Sequence, residues 1–290
     1  MLGFEYAVEG PNGRVEVRER RFFSLARPDL LFQRVELSDA ADLTLRAGID
    51  CSSRNSPIPD DQVKENTETI CMTRLISASG GAGGISAAFQ TRRTGLGLEM
   101  ELRFRTGGLD FAAYEPEEER LCACFTGRPG PAYIETAARI RPGRCLDPLA
   151  AAEIPESWSF EAALTAEREH WRDVWAARGV EIEGDPAAET AMRYVIYQLT
   201  ANCSARDPGV SIGARGLTHA RYKGCYFWDT DLFLAPFTSS RTRRPPQPHA
   251  LPHRRPARGK GARQTHERRQ ARAIPGWPHW TAASSARAGT

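Results

Sequence analysis

An indole ring and a carboxylate stand side by side at Trp228 and Asp229, inside the segment from Gly216 to Phe237. A carboxylate can accept hydrogen bonds from two neighbouring hydroxyl groups, and an aromatic face can cover the apolar C–H side of a sugar ring. These two residue types at adjacent positions predict a binding site for a polyol.

The aromatic run Tyr226-Phe227-Trp228 also has a plainer interpretation. Large rings are mostly buried, so the run by itself is more typical of a packed core than of a ligand site. His219, which could serve as a base, has no carboxylate placed to orient it and is predicted to be a loop residue. The choice between core and site therefore depends on the motifs that flank the run.

Two helices are predicted ahead of this segment. The first carries large apolar residues at the spacing i, i+4, i+11 and i+15, which places them on one helical stripe: Phe160, Leu164, Trp171 and Trp175. Gly179 is expected to end it. The second begins with Asp185 as N-cap and Pro186 in its first turn, and its apolar residues cover more than one face.

Earlier in the chain, from residue 4 to about 140, apolar and polar residues alternate in short runs. The clearest runs have a period of two: 15–20, 30–37, 43–49, 98–104 and 133–137. Because no helical period lies between them, the sequence predicts an antiparallel β-sandwich. Gly80–Gly84 lacks the Gly-Lys-Ser/Thr ending of a phosphate loop and precedes no helical pattern, so we expect a hairpin connection there.

The charge balance changes at Phe237. The chain has 39 basic and 36 acidic residues, but residues 238–290 hold eleven arginines, one lysine and a single acid. Residues 1–237 therefore carry 27 bases against 35 acids, a net charge of −8. The tail contains few large apolar residues, while ordering each residue costs roughly 1 to 2 kcal/mol. This composition predicts a disordered basic tail.

The seven cysteines form no CxxC pair and no zinc spacing, and their number is odd: Cys51, Cys71, Cys122, Cys124, Cys145, Cys203 and Cys225. A reducing cytoplasm fits this usage, and we predict no metal site and no cofactor. The first residues lack a basic region followed by an apolar one, and no run of about 18 apolar residues occurs. Neither secretion nor membrane insertion is indicated.

Several separated motifs, in order and at characteristic spacing, resemble glycoside hydrolase family 65: residues 171–175, 182–185, 193–199, 216–217 and 226–231. That family contains maltose, trehalose, kojibiose and nigerose phosphorylases and some acid trehalases. The resemblance covers residues 4 to 237. It favours a sugar pocket over a simple core cluster for the aromatic run.

The resemblance implies an α+β multidomain architecture. Residues 1–150 would form part of an N-terminal antiparallel β-sandwich, residues 151–179 a helical linker, and residues 180–237 the first helices of an (α/α)6 barrel. Residues 238–290 would form the disordered tail. Full-length members of the family are expected to be homodimers.

The reaction implied is inversion at an α-glucosidic carbon. One glutamic acid protonates the leaving oxygen while inorganic phosphate, or water in the hydrolases, attacks from the opposite face. By resemblance Trp228 and Asp229 line the pocket for the non-reducing glucose of an α-linked disaccharide, with Phe227 as a packing or stacking neighbour. The family's acid lies in an Asn-Gly-Pro-Asp-Glu-Tyr type motif, which this sequence lacks, so we assign no catalytic residue and expect no turnover.

The motif departs from the common family form in two places. His219-Ala220-Arg221 stands where Gly-Glu-x is frequent, and Asp231 replaces a glutamate. These changes leave the disaccharide linkage and the choice of phosphate or water open. A different class also stays open, namely a non-catalytic carbohydrate-binding or structural β-sandwich protein.

The tail composition, rich in Arg, Pro, Ala, Gly and His, is typical of GC-rich coding DNA read out of frame. Read two bases later, the codons of residues 274–281 can encode Pro-Trp-Met-Ala-Ala-Leu-Asp, which is similar to the family's continuation at this distance. We therefore predict a frameshift between about Phe237 and Ser240. The alternative is a basic arm that binds nucleic acid, but the tail has neither aromatic spacing for base stacking nor a folded reader. Nucleic acid is not an expected partner.

Overall fold

The computed structural model describes residues 1–10, 12–52, 72–117, 120–143, 153–202, 212–213, 227 and 233–234. Within these residues the chain forms ten strands followed by two helices. The strands are β1 (Leu2–Gly10), β2 (Gly13–Phe23), β3 (Leu30–Leu37), β4 (Thr44–Asp50), β5 (Thr73–Gly81), β6 (Gly84–Thr91), β7 (Gly97–Gly107), β8 (Leu109–Pro116), β9 (Arg120–Gly127) and β10 (Ala132–Pro142). The helices are α1 (Phe160–Arg178) and α2 (Pro186–Ala201).

The strands form two antiparallel sheets. The larger sheet has seven strands in the order β1-β2-β3-β10-β7-β6-β5, and the smaller has three in the order β4-β9-β8. Sequence neighbours pair in β1-β2-β3, in β5-β6-β7 and in β8-β9, whereas β10 crosses to the middle of the larger sheet between β3 and β7. This arrangement confirms the predicted antiparallel β-sandwich.

The main core lies between the two sheets. Because successive side chains of a strand point to opposite faces, every second residue faces inward, as Ile85, Ala87 and Phe89 do along β6. The smaller sheet contributes Leu121, Ala123 and Phe125 from β9. Both sheets therefore share one apolar layer.

A second core lies on the outer face of the larger sheet, under α1. The sheet supplies one half of it and the segment leading into α1 the other: Phe22, Leu30, Phe32 and Ala137 against Ile154, Trp158, Phe160 and Leu164. The rings of Phe22 and Phe160 meet edge to face with centroids 5.4 Å apart. At β2, β3 and β10 the larger sheet is thus buried on both faces, which attaches α1 to the sandwich.

Both predicted helices are confirmed, and so are the predicted end of α1 at Gly179 and the predicted N-cap of α2 at Asp185. The Ser159 hydroxyl accepts a hydrogen bond from the Ala162 N–H at 3.2 Å at the start of α1, and Gly179 ends the helix. Asp185 caps α2, and Pro186 occupies its first turn. Of the helices described here, neither is long and apolar enough to cross a membrane.

The five runs with period two lie in β2, β3, β4, β7 and β10, and the glycine-rich stretch connects β5 to β6 as predicted. Gly81 pairs with Gly84 at the end of that hairpin. The proposed domain boundary at residue 150 and the tail 238–290 both lie outside the described residues.

Candidate functional site

Of the three residues predicted to bind sugar, Phe227 alone is among the residues that the structure describes; Trp228 and Asp229 lie outside them. The Phe227 side chain is 40% exposed. What the structure does describe in detail is the route into this segment, namely α1, α2 and their attachment to the sandwich.

The start of α2 is fixed by its N-cap. The Asp185 carboxylate accepts hydrogen bonds from the N–H groups of Ala187 and Ala188 at 3.1 and 3.0 Å. These are two of the amides that a helix leaves without internal partners, and a negative charge at this end also suits the helix dipole. Gly184 has a φ of +83°, a left-handed conformation that favours glycine, and it turns the chain into the cap.

An aromatic stack joins α1 to α2. The Trp171 ring lies against both the Trp175 ring and the Tyr197 ring, with centroids 5.5 and 5.2 Å apart and planes inclined by 29° in each pair. The guanidinium of Arg193 lies 5.9 Å from the Trp175 centroid and also pairs with Glu189 one turn earlier on α2. We call Trp171, Trp175 and Tyr197 the aromatic stack; it sets how the two helices meet.

The remaining surface of α2 is largely exposed. Ile196 is its single buried residue, whereas Tyr194 is 62% and Val195 48% exposed, and Met192 is exposed as well. Exposed large apolar side chains of this kind are candidates for an interaction surface. We call Met192, Tyr194 and Val195 the open face of α2.

Two buried carboxylates hold α1 on the sandwich. Glu135 of β10 accepts from Arg34 at 2.5 Å and from the Phe160 N–H at the start of α1 at 3.3 Å. Glu167, in the middle of α1, accepts from the Ser24 hydroxyl at 3.0 Å and the Leu25 N–H at 2.9 Å, in the loop after β2. Neither residue was predicted from the sequence.

One signal could have found Glu167. The apolar stripe of α1 occupies positions i, i+4, i+11 and i+15 from Phe160, and the position that it skips, i+7, is Glu167. A carboxylate on the buried stripe of a helix needs hydrogen-bond partners, because an unpaired buried charge is costly. The loop after β2 supplies them.

Other reactive groups in the described residues show no catalytic arrangement. Cys122 and Cys124 are buried on β9; burial raises the pKa of both thiols, and a hydrogen bond with Glu115 adds to the rise for Cys124. Both therefore stay protonated and unreactive near neutral pH. In the described ranges no group of three or more His, Cys, Asp or Glu residues could hold a metal ion.

A shallow depression of about 340 Å³ lies on the outer face of β5, β6 and β7. Small and charged residues line it, among them Ser77, Ser86 and Glu99, and its Arg139 is paired with Glu101 at 2.7 Å. It contains no aromatic ring for stacking on a sugar. The depression therefore does not replace the predicted site.

Two parts of the chain match models of known protein families. Residues 1–131 match the family model described as "Glycosyl hydrolase family 65, N-terminal domain", and residues 193–282 match "Glycosyl hydrolase family 65 central catalytic domain". The first match falls on the sandwich. The second begins inside α2, contains Phe227, Trp228 and Asp229, and continues past Phe237.

Curated relatives include the kojibiose phosphorylase of Caldanaerobacter subterraneus subsp. tengcongensis, 40% identical over 81 residues, which are 28% of this chain and 10% of that protein. The nigerose phosphorylase of Lachnoclostridium phytofermentans is 39% identical over 78 residues, 27% of this chain and 10% of that protein. The matched segments thus span about a tenth of the length of these relatives.

A solved structure described as a putative kojibiose phosphorylase from human microbiome has the same fold, with a TM-score of 0.65 at 15% identity. The match covers 81% of this chain and 31% of that one. The sandwich, the two helices that follow it and the two family matches in the expected order lead to one conclusion: the chain belongs to glycoside hydrolase family 65.

Proposed function

We propose that this chain is part of an inverting α-glucoside phosphorylase or hydrolase, and that its substrate is an α-linked glucose disaccharide. The observation that carries the proposal is the pair of family matches, N-terminal domain before central catalytic domain, with the Phe-Trp-Asp segment inside the second. Relatives named kojibiose, nigerose and maltose phosphorylase support phosphate as the co-substrate. A cytoplasmic location and a homodimeric full-length enzyme belong to the same proposal.

Within this function, Trp228 and Asp229 form part of the pocket for the non-reducing glucose. The carboxylate of Asp229 accepts hydrogen bonds from two sugar hydroxyls, and the indole of Trp228 covers the C–H face of the ring. Phe227 packs beside them. The stacked helices α1 and α2 connect this segment to the sandwich.

Calorimetry with glucose, maltose, trehalose, kojibiose and nigerose tests the pocket. We expect saturable binding that Asp229→Ala abolishes, since a buried hydrogen bond to a charged group contributes about 1.5 to 3 kcal/mol. Asp231→Ala is the matched control, because it removes a carboxylate two positions away. Equal binding by both variants, or none by the unaltered chain, would favour a structural sandwich without a sugar site.

The general acid is proposed to lie outside these 290 residues. The family's Asn-Gly-Pro-Asp-Glu-Tyr type motif does not occur in the sequence. General acid catalysis contributes roughly a hundredfold to ten-thousandfold in rate, and a missing barrel removes positioning as well. A phosphorolysis assay that follows glucose 1-phosphate release from the four disaccharides should show no turnover; family-like rates from this chain would refute the proposal.

The tail from residue 238 is proposed to be out of frame. Its composition and the Pro-Trp-Met-Ala-Ala-Leu-Asp string in the shifted frame support this. The catalytic-domain match, which runs on to residue 282 in the present frame, speaks against it. Resequencing the gene from independent isolates decides between the shifted and the present frame. Expressed peptides that cover residues 238–290 in the present frame would overturn the frameshift.

A further inference from the structure

We propose that Glu167 is a positioning residue: through the aromatic stack, it holds the opening helix of the catalytic domain in place on the sandwich. Glu167 lies in α1, which belongs to neither family match, since it falls between residues 131 and 193. The segment that connects the two domains thus contains its own anchoring device. The proposal deepens the proposed function, because α2 leads into the sugar-binding segment.

The hydrogen bonds of Glu167 fix the loop that follows β2. One carboxylate oxygen, Oε2, accepts from the Ser24 hydroxyl at 3.0 Å, from the Leu25 N–H at 2.9 Å and from the Ala26 N–H at 3.4 Å. The residue is 5% exposed. Ser24 also accepts from the Arg27 N–H at 3.0 Å, so the hydroxyl links the loop to the carboxylate. A single oxygen therefore holds the whole turn after β2.

The two carboxylate oxygens of Glu167 differ in their surroundings. Oε1 of Glu167 is buried and has no hydrogen-bond partner among the residues that the structure describes. A buried charge with half of its acceptor capacity unused is costly, and an apolar residue would continue the stripe of α1. The carboxylate accepts hydrogen bonds from the loop, which an apolar residue could not do. These hydrogen bonds fix the position of the helix along the sheet.

The path from Glu167 to α2 is short. Trp171 follows Glu167 by four residues, so the two side chains lie one above the other on the same face of α1. The Trp171 ring contacts Tyr197 of α2 and Trp175. Any rotation or slip of α1 would therefore move the Trp171 ring, on which α2 packs.

Attachment of α1 at its start does not provide the same constraint. Glu135 accepts from the first N–H of the helix, and Glu161 pairs with Arg20 at 3.0 Å, both at the first turn. A helix held at one end can still swing about that end. Leu164 packs against the sheet one turn further, and Glu167, almost two turns from Phe160, adds a polar attachment beyond it.

Hydrogen exchange followed by mass spectrometry on the full chain tests this assignment, at a temperature where circular dichroism shows a folded protein. In Glu167→Ala we expect amides of the loop 24–27 and of α2 to exchange about tenfold faster or more, because a buried charged hydrogen bond is lost. Strands β6 and β7 should keep their protection. Glu161→Ala, which removes an exposed carboxylate from the same helix, should change α2 little.

Two further variants guard against plain unfolding. Glu167→Gln keeps an acceptor for the loop and should retain most of the protection of α2. Trp171→Leu should speed exchange in α2 while the loop 24–27 stays protected. The assignment is overturned when Glu167→Ala loosens only the loop and α1. It is also overturned when β6 and β7 exchange faster in that variant and Trp171→Leu leaves α2 unchanged. No sugar enters the experiment, so its outcome is separate from that of the binding test above.

Discussion

The sandwich and the helices that follow it treat large apolar side chains in opposite ways. On β9, Phe125 is 1% exposed and meets Phe104 and Phe111 edge to face. On α2, Tyr194 is 62% exposed, and only Ile196 is buried. The sandwich thus covers most of its large apolar residues with its own second sheet and with α1. Within the part of the chain that the structure describes, α2 packs against α1 and leaves several large apolar side chains exposed.

The two regions also differ in what holds them. Long ladders of backbone hydrogen bonds and a shared apolar layer hold the sandwich. A capped helix end and three stacked rings hold α2 against α1, which a second apolar core and two buried carboxylates attach to the sandwich. A region held by few contacts opens locally at a lower free energy than one held by many. The sandwich should therefore behave as the stable platform and α2 as the part that responds to its surroundings.

The largest expected effect on stability comes from truncating an aromatic side chain to alanine, once in the sandwich and once in α2. Phe125→Ala removes a fully buried ring from the core, and we expect it to lower the free energy of unfolding by about 3 to 5 kcal/mol. Tyr194→Ala removes an exposed ring from α2 and should change it by less than about 0.5 kcal/mol. Urea denaturation followed by circular dichroism measures both. Similar losses in the two variants would mean that α2 is packed as the sandwich is.

A smaller effect is expected at the cap of α2. Asp185→Ala leaves the N–H groups of Ala187 and Ala188 without their acceptor and should destabilise the helix by about 1 kcal/mol. Hydrogen exchange should show the loss within α2 and not in the strands.

Ser159→Ala makes the same deletion at the start of α1, where Glu135 also accepts from the helix end and Phe160 is fully buried. Exchange in α1 should rise less than exchange in α2 does after Asp185→Ala. An equal rise in both helices would contradict the view that α1 is part of the platform.

Most of the fold could be predicted from the sequence because its periods are local. Alternation along β2, β3, β4, β7 and β10 and the stripe and caps of the helices each require only neighbouring residues. The crossing of β10 to the centre of the larger sheet could not, since it depends on which strands meet across about a hundred residues. Glu135 and Glu167 escaped for the same reason: their partners are Arg34 and the loop after β2, remote in sequence.

The candidate site was predicted from a motif, and its geometry stays a prediction. Trp228 and Asp229 were selected by residue type and by the motifs around them, and the family match includes both positions. Spacing along the chain indicates which groups can recognise a sugar, whereas the pocket around them depends on the packing of helices beyond α2. The aromatic stack illustrates this, because Trp171 and Tyr197 lie in two different motifs and only the fold brings them together.

A pH test probes the sandwich alone. Asp39 accepts from the N–H groups of Ala41 and Gly130 at 3.0 and 2.8 Å, and these backbone hydrogen bonds lower the pKa of its carboxyl. A pKa lower in the folded than in the unfolded chain makes the contribution to stability complete above about pH 4. That contribution is lost as the pH falls through the folded value. Asp39→Asn should therefore flatten the dependence of stability on pH below about 4.

Asp110 gives the matched comparison, since its hydrogen bond and ion pair with Arg128 lower the pKa of its carboxyl. Salt screens exposed charges but not backbone hydrogen bonds. Raising the ionic strength should weaken the acid-range effect of Asp110→Asn and leave that of Asp39→Asn. Loss of both effects in salt would mean that the Asp39 carboxyl depends on long-range charge instead.

The smallest effect on stability, and the most direct test of the difference between the two regions, concerns the open face of α2. Replacing Tyr194 and Val195 with lysine removes exposed apolar area without touching Ile196, so the free energy of unfolding should stay within about 0.5 kcal/mol. Self-association should nevertheless fall, because exposed apolar side chains favour it. Light scattering after size-exclusion chromatography measures this.

The matched control replaces Leu2 and Phe4, which are exposed on the edge strand β1 of the sandwich. If the β1 variant lowers self-association more than the α2 variant does, the main association surface is the uncovered strand edge of the sandwich and not α2.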